Sequence, residues 1–328
     1  MLKEEQVILN GLVTQKDPKQ ALVIAVTTRS IFDLEEEHQI FLTKGKEEYL
    51  RHQKANENLP LQPGTAFAFV KAVQTVNEKL LEKNPKEETL FDVIILSNHT
   101  PESGVRIVNS VKHYGLEISR FCFVGEEDST LYLKSQNVKL FLSLDRLDVC
   151  NALKRGVSAA MLFRQEIQPP STQLRVAFDG DSVLFSDETD RVFREKGLDE
   201  AVKYEKSMEE VPMGQGPILE FAMLLGKIRR NFSQEEGPLR TYLVTARSGR
   251  DMGIRTIRTL RQWGLAIDEA FFMVGAPKGP ILTQIRPHIF FDDGEHNIDG
   301  ARDVGIPSAW VPTECCSADG KLKVMGQE

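Results

Sequence analysis

The chain has 328 residues, of which 27% are charged and 41% hydrophobic, and it carries a formal net charge of −7. At about 150 residues per domain this length predicts two domains with enough chain to bury a core, and the composition excludes a disordered chain. The excess of acid argues against a nucleic-acid or anionic-membrane binder. Short apolar runs bounded by turn residues predict strands at 21–26, 91–96, 120–125, 138–143, 174–178, 240–244, 270–275, 288–291 and 308–312. Amphipathic stretches fill the gaps. In 216–232, for example, Ile218, Leu219, Phe221, Ala222, Leu225 and Ile228 recur at helical spacing. Such alternation predicts an α/β fold with parallel sheets covered by helices. The four cysteines have no CxxC spacing, so neither a zinc site nor a disulfide framework is indicated and a reducing compartment fits. No apolar run approaches the roughly 18 residues of a membrane span, and residues 1–20 lack the apolar centre of a signal peptide. A cytoplasmic protein with no membrane partner is expected.

The two halves of the sequence resemble each other. Residues 47–64 laid over 199–216 match at Glu48/Glu200, Lys54/Lys206, Glu57/Glu209, Pro60/Pro212 and Gly64/Gly216, a constant spacing of 152. Co-linear matches continue at spacings of 148 to 152, through Ser97/Thr245, Gly115/Gly264, Gly125/Gly275 and Gly156/Gly305. A shared strand–glycine–helix rhythm would explain the glycines but not the shared Lys, Glu and Pro, so a tandem duplication is expected. The resulting division is an N-terminal tail (1–20), a first unit (21–165) and a second (166–328), joined at the Pro- and Ser/Thr-containing stretch 165–173.

In the second unit a polar cluster follows each of four predicted strands, where open parallel sheets place their ligand crevice. Asp179-Gly180-Asp181 follows LRVAF; two carboxylates so placed can face one crevice, and a divalent cation with oxygen ligands would neutralise them. A turn capped by Asp is the simpler alternative. Thr245 follows RTYLV, and its hydroxyl with the next helix N-terminus can hold a phosphate oxygen or simply cap that helix. Lys278 stands in a Gly-Ala-Pro-Lys-Gly turn that would project the ammonium toward phosphate or into solvent. Asp292-Asp293 ends the apolar run HIFF, where burial without a cation would be costly.

Together these four clusters resemble the motifs of haloacid-dehalogenase-like phosphotransferases, whose first motif, DxDx[TV], is written here as DGDSV (179–183). LRVAFDGDSVLFSDETD, RTYLVTARS, LRQWGL, GAPKGPIL and RPHIFFDD further resemble the cytosolic 5′-nucleotidase type I family, as do VTTRSIFDLEEEHQI and NSVKHYGL in the first half. Residues 294–297 and the C-terminal tail depart from it. The resemblance implies two tandem dehalogenase-like Rossmannoid units and hydrolysis of nucleoside 5′-monophosphates, AMP and some deoxynucleotides among them. Asp179 would be the nucleophile and Asp181 the acid and base, with Thr245 and Lys278 holding the phosphoryl oxygens. Mg2+ would be bound by Asp179, the main-chain carbonyl of Asp181, Asp292 and Asp293. A helical cap insertion, 187–238, would sit over the catalytic unit and recognise the nucleoside, with Phe185, Tyr204, Lys206 and Arg247 as candidate substrate contacts.

The first unit is expected to be a catalytically dead copy. Thr27 and Arg29 align with Asp179 and Asp181, Ser143-Leu144 with Asp292-Asp293, and Asp128 falls near Lys278; only Ser97, opposite Thr245, keeps its chemistry. Such a crevice cannot hold magnesium, but through Arg29 and Ser97 it could accept an anion, a regulatory purine nucleotide being one candidate. A different small-molecule phosphatase, or a nucleotide sensor without turnover, is the alternative reading. A homo-oligomer is left open.

Overall fold

The computed structural model describes residues 16, 17, 19–125, 128–165, 172–233, 237–316 and 322–324. Most of the expected tail 1–20, residues 166–171 of the expected linker, 234–236 of the expected insertion and most of the C-terminal tail lie outside the described residues. Ten strands form one mixed sheet: β1 (Leu22–Thr27), β2 (Phe91–Ser97), β3 (Arg120–Phe123), β4 (Val138–Ser143), β5 (Ala159–Leu162), β6 (Leu174–Phe178), β7 (Leu239–Thr245), β8 (Glu269–Phe272), β9 (Ile289–Asp292) and β10 (Ser308–Trp310). The short strand β5 escapes the sequence pattern because AAML offers neither alternation nor β-branched side chains.

The spatial order is β8-β7-β6-β9-β10-β5-β4-β1-β2-β3. Each half therefore runs third, second, first, fourth, fifth. Neighbours within a half are parallel, whereas β10 and β5 join the halves antiparallel, through Ala309↔Leu162 and Trp310↔Met161. The strands of the two halves thus point in opposite directions, and their C-terminal ends open at opposite edges of the sheet.

Side chains alternate across a sheet with a period of two, and the apolar strands use both faces. Leu22, Ile24 and Val26 share one core with Leu174, Val176 and Phe178, so that face is continuous across both halves. On the other face Val23 and Ala25 pack with Val149 and Leu153 of helix Arg146–Lys154, while Ala177 and Phe290 pack separately with Ala301 of helix Glu295–Asp303. The halves also interlock. Helix Phe67–Lys83 of the first touches β6, helix Leu219–Arg229 of the second touches β4, and Ser158 Oγ donates to the Pro217 carbonyl at 2.7 Å.

A pair of helices follows the first strand of each half: Glu35–Lys44 with Lys46–Ala55, and Glu188–Lys196 with Leu198–Ser207. The reversal between them needs glycine, since Gly45 and Gly197 have φ of +83° and +84°. The sequence reading gave this insertion to the second half alone, whereas the first half has it too. Among the described residues no helix is long and apolar enough to cross a membrane.

Candidate active site

Register places the second half's polar clusters together. Phe178 at the end of β6 pairs with Leu243 of β7 and Phe291 of β9, so the next residue, Asp179, enters the crevice where strand order reverses. Its N–H donates to the Phe291 carbonyl at 2.8 Å. The chain then turns sharply: Gly180 O accepts the N–H groups of Leu184 and Phe185, each at 2.9 Å, and Ser182 takes a φ of +61°. Gly180 is required here, because a Cβ would lie 2.9 Å from Thr245 Oγ1 and 3.3 Å from the Phe185 ring. Thr245, the last residue of β7, is thereby held against the turn.

Lys278 lies between two acids. Its Nζ donates to Asp292 Oδ2 at 2.7 Å and stands 2.7 Å from Asp179 Oδ1, a close ion pair that is out of line for a hydrogen bond. Asp292 Oδ1 accepts from the Gly294 N–H at 2.8 Å and from Asn297 Nδ2 at 3.1 Å. Carboxylate oxygens of Asp179, Asp292 and Asp293 come within 4.8 Å of one another. Burial pushes the Asp179 carboxyl up, with Lys278 pulling it back, and burial together with Asp179 and Asp292 pushes Asp293 up to about 8. Burial also opposes the charge on Lys278, but Asp179 and Asp292 outweigh it and raise its pKa. Three carboxylates against one ammonium leave negative charge uncompensated, and Asp179 Oδ1 is buried without a hydrogen-bond partner among the described residues. Such an oxygen set fits a hard divalent cation.

Asp181 faces a different partner. Arg247 grips it in a fork, Nε to Oδ2 at 2.7 Å and Nη2 to Oδ1 at 2.6 Å. The same guanidinium donates to Glu205 Oε2 at 2.9 Å and to Thr189 Oγ1 at 3.0 Å. Burial disfavours the charge on Arg247, yet Asp181 and Glu205 more than offset this and raise its pKa. Glu205 is fully buried between two arginines, since Arg255 Nη1 donates to its Oε1 at 2.9 Å. Arg255 also donates to Glu188 Oε1 at 2.5 Å and to the Val211 carbonyl at 2.9 Å. The helical insertion is thus tied through Thr189 and Glu205 to the acid beside the crevice.

Of the residues singled out in the sequence, the structure brings Asp179, Thr245, Lys278, Asp292 and Asp293 into one crevice. The side chain of Asp181 turns to Arg247 and is outside the Asp179/Asp292/Asp293 cluster. Thr245 does not cap a helix, for the next one begins only at Gly253. Arg247, expected at the substrate, is buried against Asp181 and Glu205. Phe185, also expected there, is fully buried against Trp263 and beneath the Arg247 guanidinium, because the tight turn at Gly180 drives it into the core. Tyr204 carries the Arg255 guanidinium over its ring, and Lys206 is exposed on the same helix. Glu205, Arg255, Thr189 and Asn297 were missed. The repeat carried a signal for two of them, since Gln53/Glu205 lies within the 152-residue spacing and Gly104-Val-Arg106 answers Gly253-Ile-Arg255.

Fold and site together define an α/β protein with an acid-and-lysine crevice at the switch point of a parallel half-sheet. Residues 14–318 match the 5′-nucleotidase family, and the chain belongs to that family. Human cytosolic 5′-nucleotidase 1B is 44% identical over 299 residues, which is 89% of this chain and 49% of the relative. The chain therefore spans about half the length of this curated relative. A solved structure, histidinol dehydrogenase from Elizabethkingia anophelis, covers 84% of this chain and 73% of its own at 9% identity, with a TM-score of 0.22, too low to carry an argument.

Proposed function

We propose that the chain hydrolyses nucleoside 5′-monophosphates, AMP foremost, to nucleoside and phosphate in the cytoplasm, and that its halves are tandem dehalogenase-like copies of which the second is catalytic. The observation that carries this is the convergence of Asp179, Asp292, Asp293 and Lys278 within one buried crevice at the strand ends. Phosphoryl transfer is mostly positioning and charge stabilisation, and this set supplies both.

An Asp179 oxygen attacks phosphorus, the bond to the nucleoside 5′-oxygen breaks, and Asp181 delivers a proton to that leaving oxygen. Water then attacks the aspartyl-phosphate; Asp181 takes its proton, phosphate leaves, and Asp179 is regenerated. Lys278 and Thr245 hold the phosphoryl oxygens through both steps. Arg247, anchored on Glu205, holds both Asp181 oxygens in this structure, so Asp181 carries the proton only after turning out of that fork. When bound, Mg2+ would be held by Asp179, Asp292 and Asp293 and would offset phosphate charge. The helices that carry Thr189 and Glu205 lie beside this crevice and act as its cap, with Tyr204 and Lys206 as the nucleoside-facing candidates.

Phosphate release from a panel of nucleotides and aryl phosphates, with and without magnesium, tests the reading. Magnesium-dependent release, fastest from AMP, is expected. Release from aryl phosphates alone would make the chain another phosphatase, and nucleotide binding without any release would make it a sensor.

A further inference from the structure

The first half has a cavity of about 400 Å³ at the C-terminal ends of β1, β2 and β4, the place that corresponds to the catalytic crevice of the second half. Register makes the correspondence direct: Val26 pairs with Ile95 and Leu142 as Phe178 does with Leu243 and Phe291. At these strand ends the four acids Asp179, Asp181, Asp292 and Asp293 give way to Thr27, Arg29, Ser143 and Leu144. Carboxylates that attract a cation are replaced by hydroxyls and a guanidinium.

Two polar groups in this cavity lack a partner. Thr28 is 2% exposed, and its Oγ1 has no hydrogen bond among the described residues, nor does the buried Nε of Arg29. Among the described residues Glu35, shared with Arg164, is the carboxylate within ion-pair distance of Arg29, at 3.9 Å, and Asp145 and Asp148 act on the guanidinium from farther off. Asp145 and Asp148 also line the cavity. Asp145 accepts the N–H groups of Leu147 and Asp148, and Asp148 accepts from Ser143 Oγ at 3.0 Å, so both are engaged within their own strand-to-helix turn. On the insertion side the wall is aromatic: Tyr49 and His99 stack with centroids 4.9 Å apart, and the half-exposed Phe41 meets both edge-on.

We propose that this cavity is a second, non-hydrolysing binding site for a phosphate monoester that carries a planar ring, the phosphate against Arg29 and Thr28 and the ring against Phe41, Tyr49 and His99. The volume suits a ligand of mononucleotide size. With no carboxylate at the position of Asp179, nothing in the site can accept a phosphoryl group as Asp179 would. Binding in this cavity stands on this half alone, while the absence of hydrolysis there rests on the reading of Asp179 as the nucleophile of the other.

Histidine ring resonances give a local test. His38 and His99 line this cavity, whereas His296 lies beside Gly294 in the other crevice. In the Asp179→Asn chain with magnesium, AMP should shift His38 and His99 saturably, and inorganic phosphate should do so more weakly. Arg29→Ala should weaken the AMP response at His38 and His99 by about tenfold or more, the loss of a charged hydrogen bond, and leave His296 unchanged. Thr28→Val, nearly isosteric, should weaken it less and covers the case of an unfolded arginine variant. A shift at His296 alone overturns the second site and leaves the catalytic reading standing. Shifts at His38 and His99 that neither variant alters, or that adenosine produces and phosphate does not, also overturn it.

Discussion

Both halves of this molecule place a first strand, a helical pair reversed at a positive-φ glycine, and a buried arginine in the same relation, yet they finish the device differently. In the first half Arg106 donates to Glu37 Oε1 at 2.6 Å, Gln53 Oε1 at 3.1 Å and the Leu59 carbonyl at 2.9 Å. In the second, Arg255 binds Glu188, Glu205 and the Val211 carbonyl in the same way. Gln53 stands where Glu205 stands, and His99 where Arg247 stands. A neutral amide satisfies one arginine. A carboxylate can hold two, and the second of these reaches Asp181. One buried charge thus converts a scaffold contact into an anchor for the site's acid.

The largest predicted asymmetry is in turnover. Asp179→Asn should lower phosphate release by more than about a hundredfold with the thermal melt retained, while Thr27→Asp, its counterpart, should leave the rate unchanged. A comparable loss from Thr27→Asp would place chemistry in both halves.

Stability should differ next. Glu205→Gln leaves Arg247 and Arg255 short of a buried counter-charge and should cost about 3–5 kcal/mol by denaturant unfolding, whereas Gln53→Ala removes an uncharged amide that accepts from Arg106 and donates to the Tyr49 hydroxyl and should cost about 1–3 kcal/mol. Equal costs would show that Glu205 is only a scaffold residue. Gly180→Ala, which forces Thr245 and Phe185 aside, should cost about 1–3 kcal/mol and depress turnover with it. Thr28, at the same place in the first half, already carries a Cβ.

Two groups, one in each half, should also respond to pH in opposite directions. Asp293 is held up at about 8, largely by burial, so the folded metal-free chain binds a proton that the unfolded chain has released, and that contribution weakens stability as pH rises from about 4 to 8. Magnesium should oppose this loss, and Asp293→Asn should remove it. His99 is lowered to about 4, first by burial and then by Arg29, so its contribution is present above its ordinary value of 6.5 and is lost as pH falls toward 4. Melting temperatures in chelator across this range check both. The smallest effect is expected of the exposed Lys206→Ala, within about 0.5 kcal/mol in stability, with any change confined to KM for nucleotides.

What the sequence revealed follows from range. Asp179, Thr245 and Asp292 were legible because each directly follows or ends an apolar strand, and a parallel sheet brings such ends together; Lys278 was legible from the Gly-Ala-Pro turn that carries it between a strand and a helix. Phe185 was misread because its burial is set by the turn at Gly180, which only the approach of Thr245 explains. Arg247 was read as a substrate contact because its partner Glu205 lies 42 positions away on the insertion, and no local pattern links them. The first half's helical pair was overlooked although the repeat of 47–64 in 199–216 runs through it.

Mapping the covalent intermediate tests the central claim most directly. During turnover of AMP labelled at phosphorus, with magnesium present, rapid acid quenching and peptide mapping should place the label on the peptide that contains Asp179. Turnover with label on a first-half peptide, or with no covalent label at any quench time, would contradict it.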